Sequence, residues 1–212
     1  MSKPHAKLYE MKTFTLYGGG VDSRIMEQAV ALLREGGVVI YPTDTLYAMG
    51  CDALNPKAVE KLCRPKGINP DKQMLSVVCS DFSQAAEYAR IDNRAFRIMK
   101  EYLPGPFTFV LPAAHTLPRQ FKGRKTVGVR IPDNAIARAL AEVLGNPVMS
   151  SSVAPHDPDD IVSPAALAID YEHQADALID GGEGLDTPST VVDLTDSSNP
   201  EVLRRGAGEF EE

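Results

Sequence analysis

The chain has 212 residues, 43% of them hydrophobic and 24% charged. That composition excludes a disordered chain, a collagen and a disulfide scaffold, and the length suits one α/β domain better than two. The formal net charge of −7 hides an imbalance: residues 1–149 carry 20 Lys and Arg against 14 Asp and Glu, and residues 150–212 carry 2 against 15. Such a division suits either a polyanion held on one basic face or a solvated surface with uneven charge.

In chain order, residues 13–17 read as a short strand. Gly18-Gly19-Gly20 is a break without the GxGxxG order of a dinucleotide site. A helix capped by Asp22 or Ser23 runs to about Glu35, with Ile25, Met26, Ala29, Val30, Leu32 and Leu33 at helical spacing, and Gly36-Gly37 stops it. Residues 38–41 form an apolar strand that ends at Pro42. Residues 56–63 are helical, residues 64–72 form a basic loop rich in Pro and Gly, and residues 74–79 are a second buried strand. Helices over 81–88 and 92–102 each open on an acidic cap. Pro104-Gly105-Pro106 turns into a strand at 107–111. Residues 122–125 are a basic loop tip, 126–131 a strand, 135–144 a helix and 147–150 a short strand. After a polar connection, a helix is expected at 164–171 and strands at 177–179, 190–194 and 202–203, before a charged, mobile end. The alternation predicts one open α/β domain with a mixed sheet.

Cys51, Cys63 and Cys79 contain no CxxC pair, which argues against a zinc ribbon or a redox dithiol. Their odd number favours a reducing compartment. No apolar run reaches the length of about 18 residues that a membrane span needs. Met1 to Lys12 lacks the apolar stretch of a signal peptide, so a cytoplasmic location is expected. His5, His115, His156 and His173 have no ligand spacing, and no dedicated metal site is expected.

Five places carry polar or cationic residues directly after an apolar run: Thr43-Asp44-Thr45, Lys66 to Lys72, Arg130, Ser150-Ser151-Ser152 and Arg204-Arg205. Strand ends in open α/β sheets are where ligands bind. Hydroxyls, backbone amides and cations gathered there suit a phosphate or carboxylate. Each place has a plainer reading. Thr43 and Thr45 suit a turn after Pro42. Lys66 and Lys72 suit a solvated loop, and Arg130 a structural salt bridge. The serines suit a loop or a helix entry, and Arg204 suits pairing with the acidic end. There is no GxSxG elbow and no Walker A loop, which excludes those hydrolase and phosphate-binding classes.

The stretch Gly36-Gly37-Val-Val-Ile-Tyr41-Pro42-Thr43-Asp44-Thr45-Leu46-Tyr47-Ala48-Met49-Gly50-Cys51 resembles the opening motif of YrdC-like proteins. Residues 104–111, 127–134, 188–194 and 203–206 extend the likeness in the family's order, from about Val21 to Gly206. The implied organisation is an N-terminal extension at 1–20, a YrdC-like domain at 21–206 and an acidic tail at 207–212. The implied fold is an open twisted sheet with a large, positively lined concave face. Well-known members join L-threonine, bicarbonate and ATP into threonylcarbamoyl-AMP, releasing pyrophosphate, for modification of adenosine 37 in tRNA. Mg2+ would accompany the ATP, with no tightly bound cofactor. Carried over by position, Thr43 and Thr45 line the threonine pocket and Arg130 holds its carboxylate. Ser150 and Ser152 lie beside substrate and phosphates, and Ser189 helps close the pocket. Arg204 contacts the nucleotide, Lys66 faces the phosphates, and Lys72 belongs to the same basic loop.

Three positions depart from the synthase pattern. Ile68 stands where the synthases have an arginine in Lys-x-Arg-Pro. Ala154 replaces the asparagine of Ser-x-Asn, and Val78 replaces a histidine. Lost fork-shaped donors at a triphosphate weaken transition-state stabilisation. These departures resemble the YciO branch, which implies weak or altered synthase activity on a nucleotide-binding scaffold. The alternatives are a module that binds double-stranded RNA or tRNA without catalysis, and a nucleotide-sensing remnant without turnover. A monomer or weak homodimer without membrane attachment is expected.

Overall fold

A computed structural model describes residues 11–16, 20–65, 67, 76–114, 125–156 and 161–211. The helices form where sequence supplies both a cap and an apolar stripe. In α1 (Ser23–Arg34), the Asp22 carboxylate accepts from the Arg24 and Ile25 amides at 2.8 and 3.2 Å. Its stripe of Met26, Ala29, Val30 and Leu33 is buried. In α2 (Pro56–Cys63), Asn55 is the cap and Pro56 stands at the first helical position, where no amide is missed. Helices α3 (Phe82–Tyr88), α4 (Asn93–Tyr102) and α6 (Pro164–Asp170) are capped by Asp81, Asp92 and Ser163. Helix α5 (Ala135–Leu144) is capped by Asn134 and ends at Gly145, whose φ of 76° is left-handed.

Ten strands form one mixed sheet among the described residues. They are β1 (Lys12–Thr15), β2 (Val39–Tyr41), β3 (Ala48–Asp52), β4 (Ser76–Val78), β5 (Phe107–Pro112), β6 (Thr126–Arg130), β7 (Val148–Ser152), β8 (Ala177–Asp180), β9 (Thr190–Asp193) and β10 (Glu201–Arg204). Their order is β1-β8-β2-β3-β7-β4-β6-β5-β9-β10. The open mixed α/β sheet expected from the sequence is the fold observed. Two local readings need correction. Residues 48–52, to which the sequence assigned no element after Pro42, form β3, which lies antiparallel between β2 and β7. The three serines are not a loop or a helix entry, because β7 runs through Ser152.

Alternation along the strands divides the core in two. One cluster takes Ile40, Met49, Met149, Val77, Val129, Phe109 and Val192, and so follows the sheet from β2 to β9. The other takes Val39, Tyr41, Ala48, Val148 and Val78 and packs them under α1 and α5. This second cluster includes no residue of β6, β5 or β9. Beyond β4 the same face carries Gly128, Arg130 and Thr108 beside the buried Val110 and Val191. On the α1/α5 face of the sheet the apolar cluster therefore ends at β4, and polar residues stand among the valines beyond it.

At the C-terminal end, Phe210 is 9% exposed. Its ring centroid lies 4.9 Å from that of Tyr102, which in turn lies 4.8 Å from that of Phe107. The end expected to be charged and mobile is seated on the core by an aromatic anchor. None of Cys51, Cys63 and Cys79 is in a disulfide. No helix among the described residues is long and apolar enough to cross a membrane.

Candidate anion site on the polar half of the sheet

The loop between β2 and β3 folds around its own threonine. Thr43 Oγ1 accepts from the Thr45 amide at 3.0 Å and donates to the Leu46 carbonyl at 2.7 Å. That is the turn role the sequence allowed, and it does not exhaust the residue. Arg130 Nη2, arriving from the end of β6, donates to Thr43 Oγ1 at 3.2 Å and to Thr45 Oγ1 at 2.6 Å. The same nitrogen is ion-paired with Asp44 Oδ1. Asp44 Oδ2 accepts from the Asp133 amide at 2.8 Å, tying this loop to the one that follows β6. The paired side chains are only 7% and 10% exposed. The structural salt bridge weighed for Arg130 is thus present, and the arginine has capacity left over. Its Nε is buried and without a hydrogen-bond partner. A buried donor left unpaired costs about 1–3 kcal/mol, so an acceptor brought by a ligand would be favoured here.

Next to this group, the Tyr41 hydroxyl donates to Ser150 Oγ at 2.9 Å. Burial pushes the Tyr41 pKa up to about 12, against the opposing effects of the Ser150 bond and the nearby Arg130 charge. Tyr41 is therefore a neutral donor at ordinary pH. The floor is kept low by small residues. Ser150 pairs in register with Gly50 on one side and Ser76 on the other, and Ser76 pairs with Gly128. A Cβ on Gly128 would lie 3.2 Å from Thr108 Cγ2 and 3.3 Å from Ser76 Cβ.

The far side of the group is a relay. Thr108 and Ser189 share a hydroxyl–hydroxyl bond of 2.9 Å. Arg204 donates to the Ser189 carbonyl through Nε at 3.2 Å and Nη2 at 2.8 Å, and to Ser189 Oγ at 3.3 Å. Among the described residues Arg204 makes no ion pair with the acidic end, which was its plainer reading. Burial, and then the like charge of Arg130, lower the Arg204 pKa. The two guanidinium groups therefore act on one another electrostatically, and Asp44 is paired with the first of them. An anion at this face would be screened by both.

Of the residues singled out in the sequence, the structure brings together Thr43, Thr45 and Arg130 by direct bonds, and Ser189 with Arg204. Ser150 is bonded to Tyr41, on which the Arg130 charge acts. Ser152 is at the end of β7, paired with Ala48 and more exposed. Lys66, Lys72 and Ile68 lie outside the described residues. Ala154 follows β7, and its carbonyl accepts from the Tyr171 hydroxyl at 2.9 Å. Val78 pairs in register with Arg130 and packs into the α1/α5 cluster, an apolar place for a position where the synthases have histidine. Sequence reasoning gave no role to Tyr41 or Thr108, nor to Asp44, although Asp44 stood in one of its five places. Thr108 carries a signal, since it is the polar residue alternating with Phe107 and Phe109 in an apolar strand.

The family model Sua5/YciO/YrdC, described as "Telomere recombination", matches residues 31–206. The chain belongs to this family. It is 39% identical over 199 residues to the uncharacterized protein YciO of Escherichia coli K12, covering 92% of this chain and 96% of that protein. It is 35% identical over 187 residues to the threonylcarbamoyl-AMP synthase of Pyrococcus abyssi, covering 87% of this chain and 54% of the synthase. The crystal structure of E. coli YciO superimposes with a TM-score of 0.84 at 37% identity, covering 94% and 97% of the two chains. P. abyssi Sua5 complexed with L-threonine superimposes with a TM-score of 0.80 at 32% identity, covering 92% of this chain and 57% of that one. This member of the Sua5/YciO/YrdC family thus spans the length of YciO and little more than half of the Pyrococcus proteins.

Proposed function

We propose that the Arg130 face binds L-threonine and an ATP-type nucleotide, and that the chain is a weak or altered threonylcarbamoyl-AMP synthase. The observation that carries this reading is Arg130 itself. It is buried, held by Thr43 and Thr45, and left with an unpartnered Nε. A second arginine lies within its electrostatic field. The threonine complex of P. abyssi Sua5, at a TM-score of 0.80, supports the choice of amino acid.

In this reading Arg130, Thr43 and Thr45 take the threonine carboxylate. Ser150 and Ser189 line the pocket. Ser152, Lys66, Lys72 and Arg204 face the nucleotide phosphates. The chain's own work is alignment and charge screening, since a carboxylated amine attacks a polyanion only when both are held in place. Mg2+ arrives with ATP; among the described residues no cluster of three or more His, Cys, Asp or Glu offers it a protein cage. Ile68 and Ala154 remove an arginine and an asparagine from the set. Each such loss lowers the rate by roughly a hundredfold.

The test follows pyrophosphate and adenylate together, with ATP, Mg2+, L-threonine and bicarbonate. Slow product that depends on threonine is expected, and Ile68→Arg with Ala154→Asn is expected to raise it. A folded double variant with no gain contradicts the synthase reading. A second reading, retention of double-stranded RNA or tRNA, rests on the basic balance of residues 1–149. It requires binding that falls steeply with salt and is indifferent to Arg130→Ala.

A further inference from the structure

Nine residues, 181–189, join β8 to β9. They cross most of the sheet, since six strands stand between the two. The register gives the length of the crossing. One row of paired residues runs from Ala177 through Gly50, Ser150 and Gly128 to Asp193. Asp180 lies three residues past that row and Thr190 three residues before it, on strands that point the same way. Seven strand spacings of about 4.8 Å and six rises of about 3.3 Å would set these two ends about 39 Å apart on a flat sheet. The ten backbone steps from Asp180 to Thr190 reach at most about 33–36 Å. The sheet therefore curves, and the loop is a strap that holds the curvature.

The strap is fastened along its length. At its start, a Cβ on Gly181 would lie 2.7 Å from Pro42 Cγ. The Tyr47 hydroxyl donates to the Gly182 carbonyl at 2.7 Å and accepts from the Gly181 amide at 3.1 Å. A Cβ on Gly184 would lie 2.7 Å from Tyr47 Cδ2, and the Leu185 amide donates to the Thr45 carbonyl at 3.3 Å. The far end belongs to the other arginine: Arg204 donates to the Ser189 carbonyl, and the Pro188 carbonyl accepts from the Ala207 amide at 2.8 Å.

Resting on the reading of this face as a site for an amino acid and a nucleotide, we propose that the strap couples the two ligands, with Tyr47 as the positioning residue through which it acts. A ligand on Thr43, Thr45 and Arg130 steadies the loop that carries Tyr47, and the strap with it. Ser189 and Arg204 are then already ordered for the nucleotide, which binds at a smaller entropic cost. The effect is reciprocal by linkage.

The test is calorimetric titration of the full chain with L-threonine, alone and in the presence of a non-hydrolysable ATP analogue with Mg2+, and then in the reverse order. In the wild type each ligand is expected to tighten the other by the same factor, about fivefold or more. In Tyr47→Phe, which keeps the ring under Gly184 and loses both hydrogen bonds, the factor is expected to fall below about twofold. A second variant inserts Gly-Ser-Gly-Ser between the exposed Asp186 and Thr187, which adds slack to the strap and removes none of its contacts with Tyr47. Its factor is expected to fall in the same way, while threonine alone binds within about twofold of the wild type. A wild type in which neither ligand changes the affinity of the other overturns the proposal. So does a factor that survives in either variant once folded. Neither variant alters a charge, and the coupling would then run through the charges of Arg130 and Arg204. A wild type that binds neither ligand overturns the two-ligand reading itself, and the proposal with it.

Discussion

Tyr41 on β2 donates its hydroxyl to Ser150 Oγ on β7 at 2.9 Å, reaching across β3 above Gly50. The contact exists because residue 50 has no side chain: a Cβ there would lie 2.7 Å from Tyr41 Cε1 and 2.5 Å from Val148 Cγ1. Gly50→Ala is expected to cost about 1–3 kcal/mol through overpacking. Tyr41→Phe, which keeps the ring and removes the bond, is expected to cost about 1 kcal/mol. Urea unfolding of both variants checks this, and a Gly50→Ala variant as stable as wild type would contradict the steric account.

The same hydroxyl gives an alkaline signature. Burial raises Tyr41 from its ordinary value of 10.0 to about 12, and Tyr47 likewise to about 12. Between those values the folded state holds protons that the unfolded chain has released. The stability this provides is therefore complete below about pH 10 and is lost as pH rises toward 12. Stability measured against pH is expected to fall over that window, and to fall less in Tyr41→Phe.

Arg130 and Asp44 are expected to behave as a coupled pair. Arg130→Ala strands a buried carboxylate, at a cost of about 3–5 kcal/mol. Adding Asp44→Asn removes the stranded charge, so the double variant is expected to be more stable than Arg130→Ala alone. A double-mutant cycle in denaturant measures the coupling, and simple additivity would contradict it.

The aromatic anchor predicts a structural role for the C-terminal residues. Phe210 lies against Tyr102, with Phe109 at 6.5 Å between ring centroids, and is 9% exposed. Phe210→Ala is expected to cost about 3 kcal/mol. Removal of residues 209–212 is expected to lower the melting temperature in the same way. Truncation without effect would show that the anchor adds nothing to stability.

Much of this was legible in the residues. Helices α2 and α5 fall at the expected 56–63 and 135–144, because caps and apolar periodicity are local signals. Strand β3 was not legible. Ala-Met-Gly-Cys-Asp has no β-branched residue, and it is a strand because β2 and β7 pair with it on both sides. The site divided the same way. Thr43, Thr45, Ser150, Arg130 and Arg204 stood out as polar residues after apolar runs, and Ser189 through the family resemblance. No role for Asp44, Tyr41 or Thr108 could be read, since each depends on a partner 81 to 109 residues away and on which face each strand presents. Composition carries no record of register.

The most direct measurement is calorimetry of L-threonine and of ATP with Mg2+ on the wild type and on Arg130→Ala. Saturable threonine binding is expected in the wild type, weakened roughly tenfold or more in the variant while the fold persists. A wild type that binds neither ligand, or a folded Arg130→Ala that binds threonine as well as the wild type does, would contradict a site organised around Arg130.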